Sequence, residues 1–226
     1  RNGRWTCSAW FKEHVRYEDD IDHCRLRIIC IVKNNGGHMK ITYEHADITK
    51  VKTNAVIIGL FSNLDKKRTW VGGAAAVVDK ALDGIISAML ESKELTGKAE
   101  QVKVIPTYGK ISAEKVIIVG LGKKDELTGS VCRNAAAAAV KAAKRAKCDE
   151  VASIVHGSGA GGLAPELAAQ CLVEGTILGA YEFKGLKSKE NEDNGNEIVQ
   201  LTIIDMELKK LAQFKHGAEK GRIIAE

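Results

Sequence analysis

The chain has 226 residues, 45% of them apolar and 28% charged, an ordinary globular composition that excludes disorder throughout. Its 34 Lys and Arg against 29 Asp and Glu leave a formal charge of +5, spread along the chain rather than gathered in one block, which argues against a concentrated nucleic-acid footprint. Six cysteines without a CxxC pair exclude a zinc ribbon and a thioredoxin-type motif and read as reduced thiols. The longest N-terminal apolar run, Ile28 to Val32, is far too short to span a bilayer, so the expected location is the cytoplasm with no membrane partner. Aromatics are only 5%, so the core must come from Ala, Val, Ile and Leu, the mix used where helices pack closely on a sheet.

In chain order, the first 38 residues concentrate cysteine, tryptophan and histidine without sustained periodicity, and a composition break follows at Asn34-Asn35-Gly36-Gly37-His38. They read as an extension that is non-native or disordered. A metal site on His23, Cys24 and Cys30 would need a fourth ligand, which is not apparent, and their spacing matches no common zinc site. From Met39 the pattern becomes regular. Strands are predicted over Lys40 to His45, Ala55 to Leu60, Gln101 to Pro106, Lys115 to Gly120, Val151 to His156 and Ile198 to Ile204. One helix is predicted to carry Val71, Ala75, Val78, Leu82, Ile85, Met89 and Leu90 as a single apolar stripe. A second starts at a Thr128 cap, contains Ala135 to Ala139 and ends in Lys141, Lys144, Arg145 and Lys147, where cations complement the helix dipole. A third starts at Pro165 behind Ala164, a poor cap, and runs through Cys171, Gly175 and Leu178. Residues 187 to 196 read as an exposed loop, and Glu207 to Glu226 as a helix with no terminating residue, as if the chain were cut.

The sharpest motif is Gly157-Ser158-Gly159-Ala160-Gly161-Gly162, a GxGxxG that follows a predicted strand and opens a helix. Such glycines let backbone N–H groups approach a phosphate at the positive end of a helix. Its place late in the fold and the position of the acid Glu182 inside the helix count against a dinucleotide site. Gly120 and Gly122 precede Lys123-Lys124-Asp125-Glu126 and read as a turn. His156 and Ser158 form the one tempting nucleophile–base pair, with no third orienting group. Asp47, Asp65, Asp79, Asp83 and Asp125 are isolated, and the Asp79/Asp83 pair at i,i+4 reads as exposed. The chain is expected to hold no catalytic residue and no metal.

Four segments nevertheless form a familiar order: Gly72-Gly73-Ala74-Ala75-Ala76-Val77-Val78-Asp79-Lys80-Ala81-Leu82; Lys115-Val116-Ile117-Ile118-Val119-Gly120-Leu121-Gly122-Lys123-Lys124; Ala168-Ala169-Gln170 with Glu174-Gly175 and Leu178-Gly179-Ala180-Tyr181; and Gly221-Arg222-Ile223-Ile224-Ala225-Glu226. On these, residues 39 to 226 resemble the N-terminal domain of the leucyl (cytosol) aminopeptidase family. The resemblance implies an α/β, macro-domain-like three-layer fold, a mixed sheet flanked by helices. It divides the chain into the extension 1–38, a macro-like domain 39–206, and 207–226 as the start of a linking helix toward a catalytic domain. In such enzymes that further domain holds two divalent metal ions, zinc with manganese or magnesium, on Lys, Asp and Glu side chains, and a metal-activated water removes an N-terminal amino acid from peptide substrates. The partners implied are the chain's own catalytic domain and a homo-oligomer, typically a hexamer.

Two other readings stay open. A stand-alone macro-like module binding ADP-ribose or another nucleotide would use Asp47 (in Asp47-Ile48-Thr49), Gly72, Gly73, Gly157, Gly159 and Gly162, although Phe61-Ser62-Asn63 departs from the usual ADP-ribose segment. A DNA surface on Lys141 to Lys147 would show steep salt dependence.

Overall fold

The computed structural model describes residues 15–20, 25–34, 37–62, 73–181 and 196–225. Their strands are β1 (Val15–Asp20), β2 (Arg25–Asn34), β3 (Gly37–His45), β4 (Ala55–Phe61), β5 (Val102–Pro106), β6 (Lys115–Gly122), β7 (Glu150–Ile154) and β8 (Gln200–Asp205). The helices are α1 (Gly73–Ala81), α2 (Ile85–Glu91), α3 (Gly129–Arg145), α4 (Pro165–Ala180) and α5 (Leu208–Ala225). All eight strands form one mixed sheet in the order β1-β2-β3-β8-β7-β4-β6-β5. The five from β3 to β6 run parallel, while β1, β2 and β5 add antiparallel edges.

Alternation along the strands builds a three-layer molecule. In β4, Ala55 and Ile57 face one core and Val56, Ile58 and Leu60 the other; in β6, Ile117 and Val119 oppose Val116 and Ile118. The first core is covered by α3, α4 and α5, the second by α1 and α2. Continuous apolar strands such as Lys115–Gly122 are what a parallel sheet buried on both faces requires.

The α3–α4–α5 layer is held at close range by glycines. A Cβ on Gly175 would lie 2.1 Å from the Arg133 carbonyl oxygen, and one on Gly217 would overlap the Glu166 carbonyl oxygen of α4. Between α3 and α4, the Glu174 carboxylate, 3% exposed, pairs with the Arg133 guanidinium and accepts from Gln170 Nε2 at 2.6 Å. α3 begins as the sequence indicates, with Thr128 Oγ1 accepting from Val131 N at 3.3 Å. α4 has Pro165 in its first turn and no side-chain cap at Ala164.

Three expectations are corrected. The stretch before Met39 is not without regular structure: β2 pairs with β3 from Arg27↔Glu44 to Asn34↔Gly37, and β1 extends the sheet beyond it. The connection Asn35-Gly36 is the two-residue dipeptide that favours hairpins, and Ile28 to Val32 is the run that β-strands favour. The single helix predicted through Leu90 is two helices, because Asp83 and Gly84 adopt φ of 56° and 80°. Asp79, rather than lying exposed, is buried and turns its carboxylate onto α2, accepting from Ile86 N at 2.8 Å and Ser87 N at 3.2 Å. Ala75, Val78, Leu82 and Ile86 are buried while Ile85 is exposed; Val71 lies outside the described residues, as do residues 187–195 of the predicted loop.

Candidate functional site: a cavity at the strand ends

β4 and β7 are parallel neighbours whose onward connections diverge, β4 leading to α1 on one face of the sheet and β7 to α4 on the other. Divergence of this kind opens a crevice at the carboxyl ends of the strands, the usual ligand position in α/β sheets. Here it forms a cavity of about 870 Å³. Its lining comes from the ends of β4, β7 and β8, the first turn of α1, and the loop 155–161. The volume falls in the range of small-molecule and cofactor sites.

The structure places several of the sequence candidates here. Asp47, Gly73, Gly157 and Gly159 line the cavity together; Gly162 does not, and Gly72 lies outside the described residues. Asp47 is occupied, since its carboxylate caps a 3₁₀ turn by accepting from Thr49 N at 2.9 Å and Thr49 Oγ1 at 2.8 Å. Asp205 accepts from Glu207 N at 2.7 Å, and Glu207 pairs with Lys210 at 2.6 Å. Each of these rim carboxylates is thus tied to the fold. Loop 157–161 owes its shape to Gly157 at φ 87° and to Gly161, whose Cβ would sit 2.3 Å from Leu127 Cδ2.

His156 lies at the base of this loop, at the end of the predicted strand, and the sequence pairs it with Ser158. The structure keeps the two apart: Ser158 Oγ donates to Val155 O at 3.0 Å, and His156 Nε2 meets Ser153 Oγ at 3.4 Å. His156 is 2% exposed, and its Nδ1 has no hydrogen-bond partner among the described residues. Burial lowers its pKa to about 4, so the imidazole is neutral at physiological pH. Gly59 makes room beside it, since a Cβ there would lie 2.9 Å from Nδ1 and 2.7 Å from Leu121 Cδ1.

The remaining candidates do not gather into a site. His23, Cys24, Asp65 and Glu182 lie outside the described residues, and Cys30 is on β2. Asp83 pairs with Lys110 at 2.7 Å on the surface. Gly120 is not in the turn expected of it but inside β6, where it lets the segment at Lys98 cross the strand, and Gly122 ends that strand at φ 71°. Lys144 donates to Ala180 O at 3.1 Å, fastening the end of α3 to the end of α4. Among the described residues no group of three or more His, Cys, Asp or Glu could hold a metal ion, so their donor set does not fit the metals implied for this kind of enzyme. Among them, too, no helix is long and apolar enough to cross a membrane.

Comparison with known proteins then decides the family. Residues 57–190 match the profile of the cytosol aminopeptidase family, N-terminal domain. The chain belongs to the cytosol aminopeptidase family. A probable cytosol aminopeptidase of Alkaliphilus oremlandii is 30% identical over 188 residues, which covers 83% of this chain and 36% of that relative. One from Geobacter sulfurreducens is 33% identical over 151 residues, covering 67% of this chain and 29% of the relative. The chain therefore spans about a third of the length of the curated cytosol aminopeptidases it matches. In structure it is similar to a tomato leucine aminopeptidase mutant, with a TM-score of 0.61 at 19% identity, covering 78% of this chain and 35% of that one. The Oceanobacillus iheyensis macrodomain, solved with ADP, gives a TM-score of 0.63 at 13% identity over 88% of this chain and 97% of that one. These last two likenesses establish the fold, which is macro-like.

Proposed function

We propose that this chain is the non-catalytic N-terminal domain of a cytoplasmic, metal-dependent aminopeptidase, and that its work is to support homo-oligomer assembly, of the hexameric kind, and to shape substrate access. The observation that carries the reading is the family match over residues 57–190 in a chain that covers only 36% of its relative. On this reading the two divalent ions and the residues that activate water lie in the remainder of the enzyme, and peptide substrates are cleaved there. The described residues hold no group that fits such ions, so no chemical step is assigned to this domain.

The test uses the whole enzyme and a version from which the segment described by this chain has been removed. Sedimentation should show the shortened protein falling apart into smaller species, and its KM for peptides should change more than its metal content. An undiminished oligomer with unchanged KM would contradict the assembly and access roles.

A second reading is favoured by the cavity. A glycine-rich loop at the carboxyl ends of parallel strands, on a macro-like fold whose solved relative carries ADP, supports binding of ADP-ribose or another nucleotide. Calorimetric titration of ADP-ribose into this chain tests it, with measurable heat expected and a flat titration counting against it.

A further inference from the structure

The strand-end cavity has two kinds of hydrogen-bonding wall, and they ask for different atoms. Along loop 157–161, the N–H groups of Gly159, Ala160 and Gly161 donate to no described residue. The first turn of α1, through Gly73, Ala74 and Ala75, also lines the cavity and carries no acidic residue. Unused N–H groups in a glycine loop that shares a cavity with the positive end of a helix form a place for an anion. Lys124 on the rim adds a positive charge.

His156 offers the reverse. The Ser153 hydroxyl donates its single proton to Ile154 O at 2.9 Å, so towards His156 Nε2, at 3.4 Å, Ser153 can only accept. That assigns the imidazole proton to Nε2 and leaves Nδ1 as a bare lone pair, buried and without a partner among the described residues. An unsatisfied buried acceptor is costly, and the atom that satisfies it must bring a proton. A fully ionised phosphate brings none. A hydroxyl does.

We propose that His156 Nδ1 accepts a hydrogen bond from a sugar hydroxyl of a phosphorylated ligand whose phosphate lies on the N–H groups of Gly159, Ala160 and Gly161. The inference rests on the nucleotide-binding reading above and adds to it the residue that selects for the sugar. His156 is neutral when it does this, and it acts by accepting, not by charge.

Two probes separate the halves: ADP-ribose, which has both hydroxyls and phosphates, and inorganic pyrophosphate, which has no such hydroxyl. Calorimetry on the 226-residue chain should show His156→Leu weakening ADP-ribose about tenfold, the equivalent of one lost hydrogen bond, while pyrophosphate binding stays unchanged. His156→Asn, which can place an oxygen acceptor where Nδ1 stood, should recover part of the loss. Long-range proton–nitrogen NMR of the unliganded protein should show a bare Nδ1, whose signal shifts on adding ADP-ribose. Equal ADP-ribose affinity in wild type and His156→Leu would overturn the role of His156 and leave the nucleotide reading standing. A protonated Nδ1 in the free protein would overturn it directly, even if the variants fail to fold. A wild-type chain that binds no ADP-ribose overturns both.

Discussion

The two helical layers of this domain solve opposite problems. The α3–α4–α5 layer brings helices so close that glycines meet backbone carbonyls, with Gly175 against Arg133 and Gly217 against Glu166, and it buries a carboxylate to cross-link them. The α1–α2 layer is two short helices broken at Asp83-Gly84, and α1 points its N-terminus at an open cavity. The cavity lies at the strand ends, lined by the first turn of α1 from one layer and by the loop 155–161 that leads to α4 in the other.

The largest expected effect tests the rigid layer. Gly175→Val forces a side chain into the Arg133 carbonyl, and chemical denaturation should report a loss of about 3 kcal/mol or more. A loss below about 1 kcal/mol would mean that α3 and α4 can move apart freely.

Next comes pH, acting where the layers meet the cavity. His156 has its folded pKa lowered to about 4 from an ordinary value of 6.5, so the unfolded chain takes up the proton first as pH falls. The stabilisation is fully present above about pH 6.5 and is lost as pH drops toward 4, by up to about 3 kcal/mol. His156→Leu should flatten that part of the stability profile; an unaltered slope between pH 6.5 and 4 would show that His156 is not buried neutral.

A smaller effect is expected at the break in the open layer. Asp79→Ala removes the acceptor for Ile86 N and Ser87 N and should cost about 1 to 2 kcal/mol, with amide exchange accelerated in α2 but not in α4. Uniform acceleration would mean the layers are not separable. The smallest belongs to the exposed Lys110–Asp83 pair, where Lys110→Ala should change stability by no more than about 0.5 kcal/mol.

The parallel core was legible in the sequence because its strands are continuous runs such as Val116-Ile117-Ile118-Val119, which few other structures tolerate. Thr128 and Pro165 marked their helix starts for local reasons that need no tertiary contact. The break between α1 and α2 was hidden because buried Val78, Leu82 and Ile86 keep helical spacing across it, and the capping role of Asp79 depends on a turn made four residues later. β1 and β2 were not legible because charged residues interrupt their apolar pattern, as in Tyr17-Glu18-Asp19-Asp20 and Arg25-Leu26-Arg27. The glycine loop was visible as a pattern. The unpartnered Nδ1 of His156 was not, since it depends on Ser153 spending its proton on Ile154 and on Gly59, distant in sequence, making room.

On the proposed function, this domain supports an aminopeptidase without performing its chemistry. The direct measurement is hydrolysis of leucine p-nitroanilide by the purified 226-residue chain, with zinc, manganese or magnesium added, beside the whole enzyme under the same conditions. No turnover above buffer is expected from the chain, and metal-dependent turnover from the whole enzyme. Metal-dependent turnover by the chain alone, abolished by a chelator, would contradict it.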